Sequence, residues 1–218
     1  MALPAGPLIP WCARTYFLVG DLTGASAVAR MAGWTVKPLG RILDHPLFTP
    51  GGFSHFWHDL LASFWRGEFT WHGTVLAQGW ADRFYSISSL ALLSAVAVGL
   101  LRRTMAGDRG ERLGETFCLV AWILAVAFLA AISLAYDFGD AWIPTSRDPY
   151  LTNGRLISGM VIPFFILYVR GLDRVLSLIR SQRAGILVVS GIVVLVTLSE
   201  ISLTWPVFGS AYNWFHLP

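Results

Sequence analysis

The run FCLVAWILAVAFLAAISLAY, Phe117–Tyr136, carries no charged residue over a length that matches a bilayer core. A helix needs about 20 apolar residues to cross ~30 Å of hydrocarbon, so this block qualifies as a transmembrane span. Working outward, three further apolar blocks appear at Phe84–Leu101, Leu156–Val169 and Gly185–Trp205. The last also qualifies outright and the first is adequate, whereas Leu156–Val169 is short unless its flanks are included. The connections between the blocks differ in charge. Residues 102–114 hold Arg102, Arg103, Arg109 and Arg112, and residues 170–184 hold Arg170, Arg174, Arg180 and Arg183. Residues 137–154 hold only Arg147, beside Asp137, Asp140 and Asp148, and the tail after Trp205 has no basic residue. Arginine is retained on the cytoplasmic side, so the alternation predicts both the spans and their orientation.

Composition agrees. Hydrophobic residues make up 55% of the chain and charged residues 13%, against roughly 25% charged in soluble domains. The net charge of +3 is accounted for by topology, which argues against a nucleic-acid partner. Trp80, Trp142, Trp205 and Trp214 lie near predicted span ends or in outer connections, where amphipathic rings favour the headgroup layer. Cys12 and Cys118 lie far apart and form no metal-type spacing, so both read as structural.

The expected fold is an all-α membrane protein of about four transmembrane helices over residues 84–205. An external aromatic-rich segment, residues 1–83, precedes them and an external tail, residues 206–218, follows. No signal peptide is evident, and an external segment of that length needs an apolar leader to cross. The expectation is therefore a carboxy-terminal part of a longer polytopic protein, with Leu8–Gly20 as a partial span the alternative.

Within the external segment Phe53, Phe56, Trp57, Leu60, Leu61, Phe64 and Trp65 fall on one stripe of a helix. Pro50-Gly51-Gly52 punctuates its start and Gly67 its end. Such a helix near residues 53–66 is expected to be an interfacial amphipathic helix, lying in the membrane interface with its aromatic face in the acyl boundary; packing on the transmembrane bundle is the alternative. His55, His58 and Asp59 occupy its polar side, where solvated side chains are the simpler reading and no metal site is assigned.

Candidate binding residues lie in the second outer connection. Arg147 and Arg155 are suited to a phosphate through paired donors, and Tyr150 or Trp142 to stacking on a sugar or packing on a lipid chain. The competing reading pairs Arg155 with Asp148, or lets it snorkel to the headgroups. Glu200 falls within the last apolar block, where a carboxylate is costly and hence a functional candidate. Pro163 is expected to free a backbone carbonyl and bend the third span.

Two stretches carry a family resemblance. FWHDLLASFW, residues 56–65, and Asn153-Gly154-Arg155 ahead of an apolar helix with Ile162-Pro163 resemble the late region of bacterial membrane glycosyltransferases of the GT-C type, which look like the dolichyl-phosphate-mannose protein mannosyltransferases. The likeness runs over roughly residues 49–169. Leu156 stands where that family has tyrosine, and Arg66 where glycine is commoner. The resemblance implies transfer of a sugar from a polyprenyl-phosphate donor at the outer face of a bacterial inner membrane, usually with a divalent metal. The chain itself shows no evident cofactor site. The family's catalytic acid comes from an early outer loop, and no matching acidic pair occurs here, so the catalytic residues are unknown. Arg147, Arg155, Tyr150, Trp142 and Glu200 are the expected substrate contacts, with membrane lipid and the lipid-linked donor as partners.

A non-catalytic scaffold or transport component is the alternative, with Glu200 and Pro163 marking a polar pathway. The absence of a visible internal repeat counts against transport. The chain has no Gly-x-Gly-x-x-Gly, Walker or Gly-x-Ser-x-Gly pattern, so nothing supports soluble nucleotide or hydrolase chemistry.

Overall fold

The structure is a computed structural model that describes residues 8–102, 109–139, 143–179 and 181–213. In chain order the elements are α1 (Leu8–Val19), α2 (Ala25–Met31), β1 (Thr35–Val36), α3 (Pro50–Arg66), β2 (Thr70–Trp71), β3 (Thr74–Val75), α4 (Gly79–Leu101), α5 (Arg109–Ala135), β4 (Tyr136–Asp137), α6 (Val161–Ser177) and α7 (Gln182–Phe208). Short 3-10 helices cover Leu39–Asp44, Pro46–Phe48 and Gly154–Met160. Strands are confined, among the described residues, to the antiparallel pairs β1–β4 and β2–β3. This is the pattern that hydrocarbon enforces, because a helix satisfies every backbone polar group within its own segment.

Four helices are long and apolar enough to cross a membrane: α4, α5, the 3-10 turn running into α6, and α7. The protein is a multi-pass membrane protein. The third span, short on its apolar residues alone, gains length at both flanks. The 3-10 turn begins it at Gly154, and α6 continues through Arg170 and Arg174 to Ser177. Pro163 does not bend its interior. It sits in the first turn of α6, where its missing N–H costs no intrahelical bond. The proline held inside a helix is Pro206, because α7 extends past the expected end at Trp205 to Phe208.

The chain divides into two compact units. The larger comprises residues 50–128 and 152–218 and holds most of the spans. Of the two settings open to the aromatic stripe, α3 takes the packed one, against α4 and the 3-10 turn. Phe56, Leu60 and Leu61 are fully buried, while Phe53 stays more than half exposed. The Phe64 ring lies 5.0 Å from Trp122 and 4.9 Å from Phe164, and Trp65 stacks on Tyr85 at 4.8 Å. These are favourable separations for aromatic pairs, so the stripe forms the centre of the unit. Trp65 also donates Nε1–H to Ser89 Oγ at 2.8 Å. Tyr85 and Ser199 share a hydroxyl–hydroxyl bond that fastens α7, which otherwise buries only Leu203.

The smaller unit comprises residues 1–49 and 129–151, and so includes the last turns of α5. Thr35 pairs with Asp137 and Val36 with Tyr136, and the Lys37 backbone N–H donates to Ala135 O at 2.8 Å. Ser133 closes the unit from inside. Its hydroxyl donates to Leu129 O and accepts from the Leu151 N–H at 2.8 Å, while its carbonyl receives Lys37 Nζ at 2.9 Å.

Candidate functional site

Each unit holds part of the expected set. Arg147 and Tyr150 belong to the smaller unit, Arg155 and Glu200 to the larger, and Trp142 lies outside the described residues. Arg147 is exposed in a turn whose backbone is held by Thr145 Oγ1, which accepts from the N–H groups of Arg147 and Asp148. Tyr150 is buried, with its ring edge-on to His45 at 6.0 Å, so packing already occupies the face expected to stack on a ligand. Burial, then the Asp148 charge, pushes its hydroxyl above the usual tyrosine range.

His45 is buried and held as an acceptor, its Nδ1 receiving the Leu47 N–H at 3.1 Å. Burial lowers its pKa, and the Lys37 charge lowers it further against the Pro149 backbone, which favours the charged form. The folded imidazole thus protonates at lower pH than the unfolded one. As pH falls through about 6.5, the unfolded chain takes up a proton that the folded chain resists, and this part of the stability is lost. Amide exchange at Leu47, corrected for its intrinsic pH dependence, is expected to accelerate below that pH. A flat profile, or the same profile in His45→Gln, would refute the assignment.

The Asn153-Gly154-Arg155 turn is where the larger unit concentrates polar geometry. Ser63, buried on α3, donates to Thr152 O at 2.6 Å and accepts from the Gly154 N–H at 3.0 Å. The turn is pressed so closely on α3 that a Cβ on Gly154 would lie 2.3 Å from Phe64 N and 2.4 Å from Phe64 Cα. Only glycine fits there. Glu68, just past the end of α3, then gathers both neighbours. It accepts from Asn153 Nδ2 at 2.7 Å and from the Arg155 N–H at 3.4 Å, and pairs with Arg155 Nε at 3.2 Å. The partner of Arg155 is therefore Glu68 and not Asp148. The Glu68 side chain is 18% exposed and that of Arg155 64%, so a half-sunken carboxylate holds a guanidinium that faces outward. Arg66 completes the corner: its Nε pairs with Asp82 at 3.0 Å and its Nη1 donates to Gly67 O and Leu76 O.

Glu200 is exposed on α7, next to the buried Ser199. Near that end of α7 a groove of about 460 Å³ is lined by Trp71, His72, Leu76, Leu203, Pro206 and Tyr212. On α3, His55 Nε2 pairs with Asp59 at 3.1 Å across one turn. No three His, Cys, Asp or Glu converge on a point that would hold a metal ion among the described residues. Both described cysteines are free thiols.

The arginine-rich end carries a network that the sequence reading passed over. Glu115 is buried and bridges two arginines: its Oε1 is 3.3 Å from Arg170 Nε and its Oε2 is 2.6 Å from Arg174 Nη2. Arg170 also reaches Glu111 at 3.1 Å. A cleft of about 720 Å³ opens beside them, bordered by Arg102, Asp173 and the α4 residues Ala95 and Val98. The signal was present. Glu111 and Glu115 stand four apart on one helix and Arg170 and Arg174 four apart on another, each pair on one face. Glu68 and Ser63 gave no such signal, because each meets its partner across more than 80 residues.

Comparison of the chain with family models, with curated proteins and with solved structures gives no match.

Proposed function

We propose that this chain is the membrane module of a transferase that moves a sugar from a polyprenyl-phosphate donor at the arginine-poor face, the outer face of a bacterial inner membrane. The observation that carries the reading is the Arg155 corner. A backbone clamped by Ser63 and a close-fitting Gly154 fixes the guanidinium at the start of the third span, with most of its side chain exposed. A polyprenyl phosphate keeps its chain in the bilayer and its phosphate at headgroup level, where a residue at a span end stands. Glu68 engages Nε and orients the plane, and the terminal NH2 groups are the donors offered to phosphate oxygens. The acid that activates the acceptor is not among these residues, so the module binds and positions the donor.

The test is Arg155→Ala in the polypeptide as it occurs in its membrane, assayed for transfer from a labelled polyprenyl-phosphate sugar. Loss of one charge-assisted contact is worth about 1.5–3 kcal/mol, hence a fall of roughly 10- to 100-fold, with partial recovery in Arg155→Lys. Unchanged transfer in Arg155→Ala would overturn the proposal and leave a non-catalytic scaffold as the better reading.

A further inference from the structure

The smaller unit exposes apolar surface that its own fold does not cover. On α1, Ile9, Phe17 and Leu18 are 68%, 85% and 70% exposed, and on α2 Met31 is 83% exposed. Cys12, Thr15 and Val19 are half-buried on one side of α1, and the other positions from Ile9 to Leu18 are exposed. Neither helix contains an acidic residue, and each carries one exposed arginine, Arg14 and Arg30. The surface continues to the end of a span within the same unit. The carbonyl that follows α2, Ala32 O, would lie 2.8 Å from a Cβ on Gly139, two residues past β4. On the adjoining strands Val36 faces Tyr136 across the pair, both exposed, and Tyr136 directly follows the last residue of α5. Trp34 packs on Phe138 at 4.6 Å beside them. Aromatic rings clustered at a span end mark the level of the membrane boundary.

From this geometry we infer that α1 and the exposed side of α2 lie in the lipid interface of the leaflet at the Ala135 end of α5. The 12 described residues of α1 reach about 18 Å, short of ~30 Å of hydrocarbon, and in this placement they lie along the boundary. Its apolar side chains enter the acyl region, and Arg14 and Arg30 meet headgroup phosphates. Lipid is the occupant chosen because the surface adjoins a span end and the charges on both helices are cationic, while Asp21 between them is engaged by the Thr23 and Ser26 N–H groups. This role for residues 8–36 is independent of the transferase reading.

Cys12 lies on α1 and supplies the probe. In the full chain carrying Cys118→Ala, Cys12 is labelled with an NBD fluorophore and the protein placed in nanodiscs of mixed neutral and anionic phosphatidyl lipids. The expected result is blue-shifted emission, poor quenching by iodide, and about twofold stronger quenching by lipids doxyl-labelled at carbon 5 than at carbon 12, as for a helix ~5–10 Å deep. A label at Met31→Cys, in a Cys12→Ala, Cys118→Ala background, is expected to behave likewise, so the test does not depend on one site. Water-like emission with full iodide quenching would overturn the inference. So would stronger quenching at carbon 12, which places α1 in the bilayer centre. Exclusion of both iodide and doxyl lipid would show that a second copy or another protein covers the surface, and would equally overturn it.

Discussion

Glu115→Ala is expected to lower the stability of the larger unit by about 3 kcal/mol, the low end of the cost of breaking a buried ion pair. The carboxylate is 7% exposed and accepts from two guanidiniums, at 2.6 Å from Arg174 and 3.3 Å from Arg170. Removing it leaves two cations facing one another across a low-dielectric boundary. Arg170 keeps Glu111 and is 39% exposed, so Arg174, 22% exposed, bears most of the loss. This sets the estimate at the low end of the range. The double variant Glu115→Leu, Arg174→Met removes both charges and is expected to recover most of the stability. Unfolding in mixed micelles, followed by loss of far-UV helicity, measures both. A Glu115→Ala protein as stable as the parent would mean that water in the adjoining cleft solvates the arginines, and the network would have no structural weight.

The second large effect is expected at two glycines. A Cβ on Gly154 would stand 2.3 Å from Phe64 N, and one on Gly171 would stand 2.3 Å from Leu92 O, both backbone atoms that cannot swing aside. Alanine at Gly171 gains about 1 kcal/mol of helix propensity, yet forcing α6 away from α4 costs about 1–3 kcal/mol or more. Packing wins, and Gly171→Ala is destabilised. Gly154→Ala is also expected to pull the turn off Ser63, lengthening the 3.0 Å bond, and to release Arg155 from Glu68. Under the proposed function, donor binding falls along with stability. Gly191→Ala on α7 is the control, because nothing lies within 4 Å of its added Cβ. It is expected to be neutral or slightly stabilised. Equal midpoints for Gly171→Ala and Gly191→Ala would refute the account of close helix approach.

The family-like Asn-Gly-Arg pattern acquires a physical content here. Gly154 is demanded by backbone contact with α3, and Asn153 and Arg155 are the two residues that flank that contact and meet Glu68. Arg66, where the resembled family more often has glycine, is committed to Asp82 and to the carbonyls of Gly67 and Leu76. The departure at that position thus comes with its own partners.

The set of spans and the amphipathic helix at α3 were legible in the chain alone. These follow from local quantities: apolar length against bilayer thickness, and the 3.6-residue period of the stripe from Phe53 to Trp65. Bounds were less legible, since residues 79–83 and 170–177 extend spans through polar residues that pair within the unit, such as Asp82 with Arg66 and Arg174 with Glu115. Long-range packing set the rest: α3 lies on α4, Arg155 pairs with Glu68, and the Tyr150 ring meets His45. Those outcomes depend on which distant segments meet. A side chain's charge or ring is written in the chain, but its partner is set by the packing of helices whose apolar surfaces have no directional preference of their own.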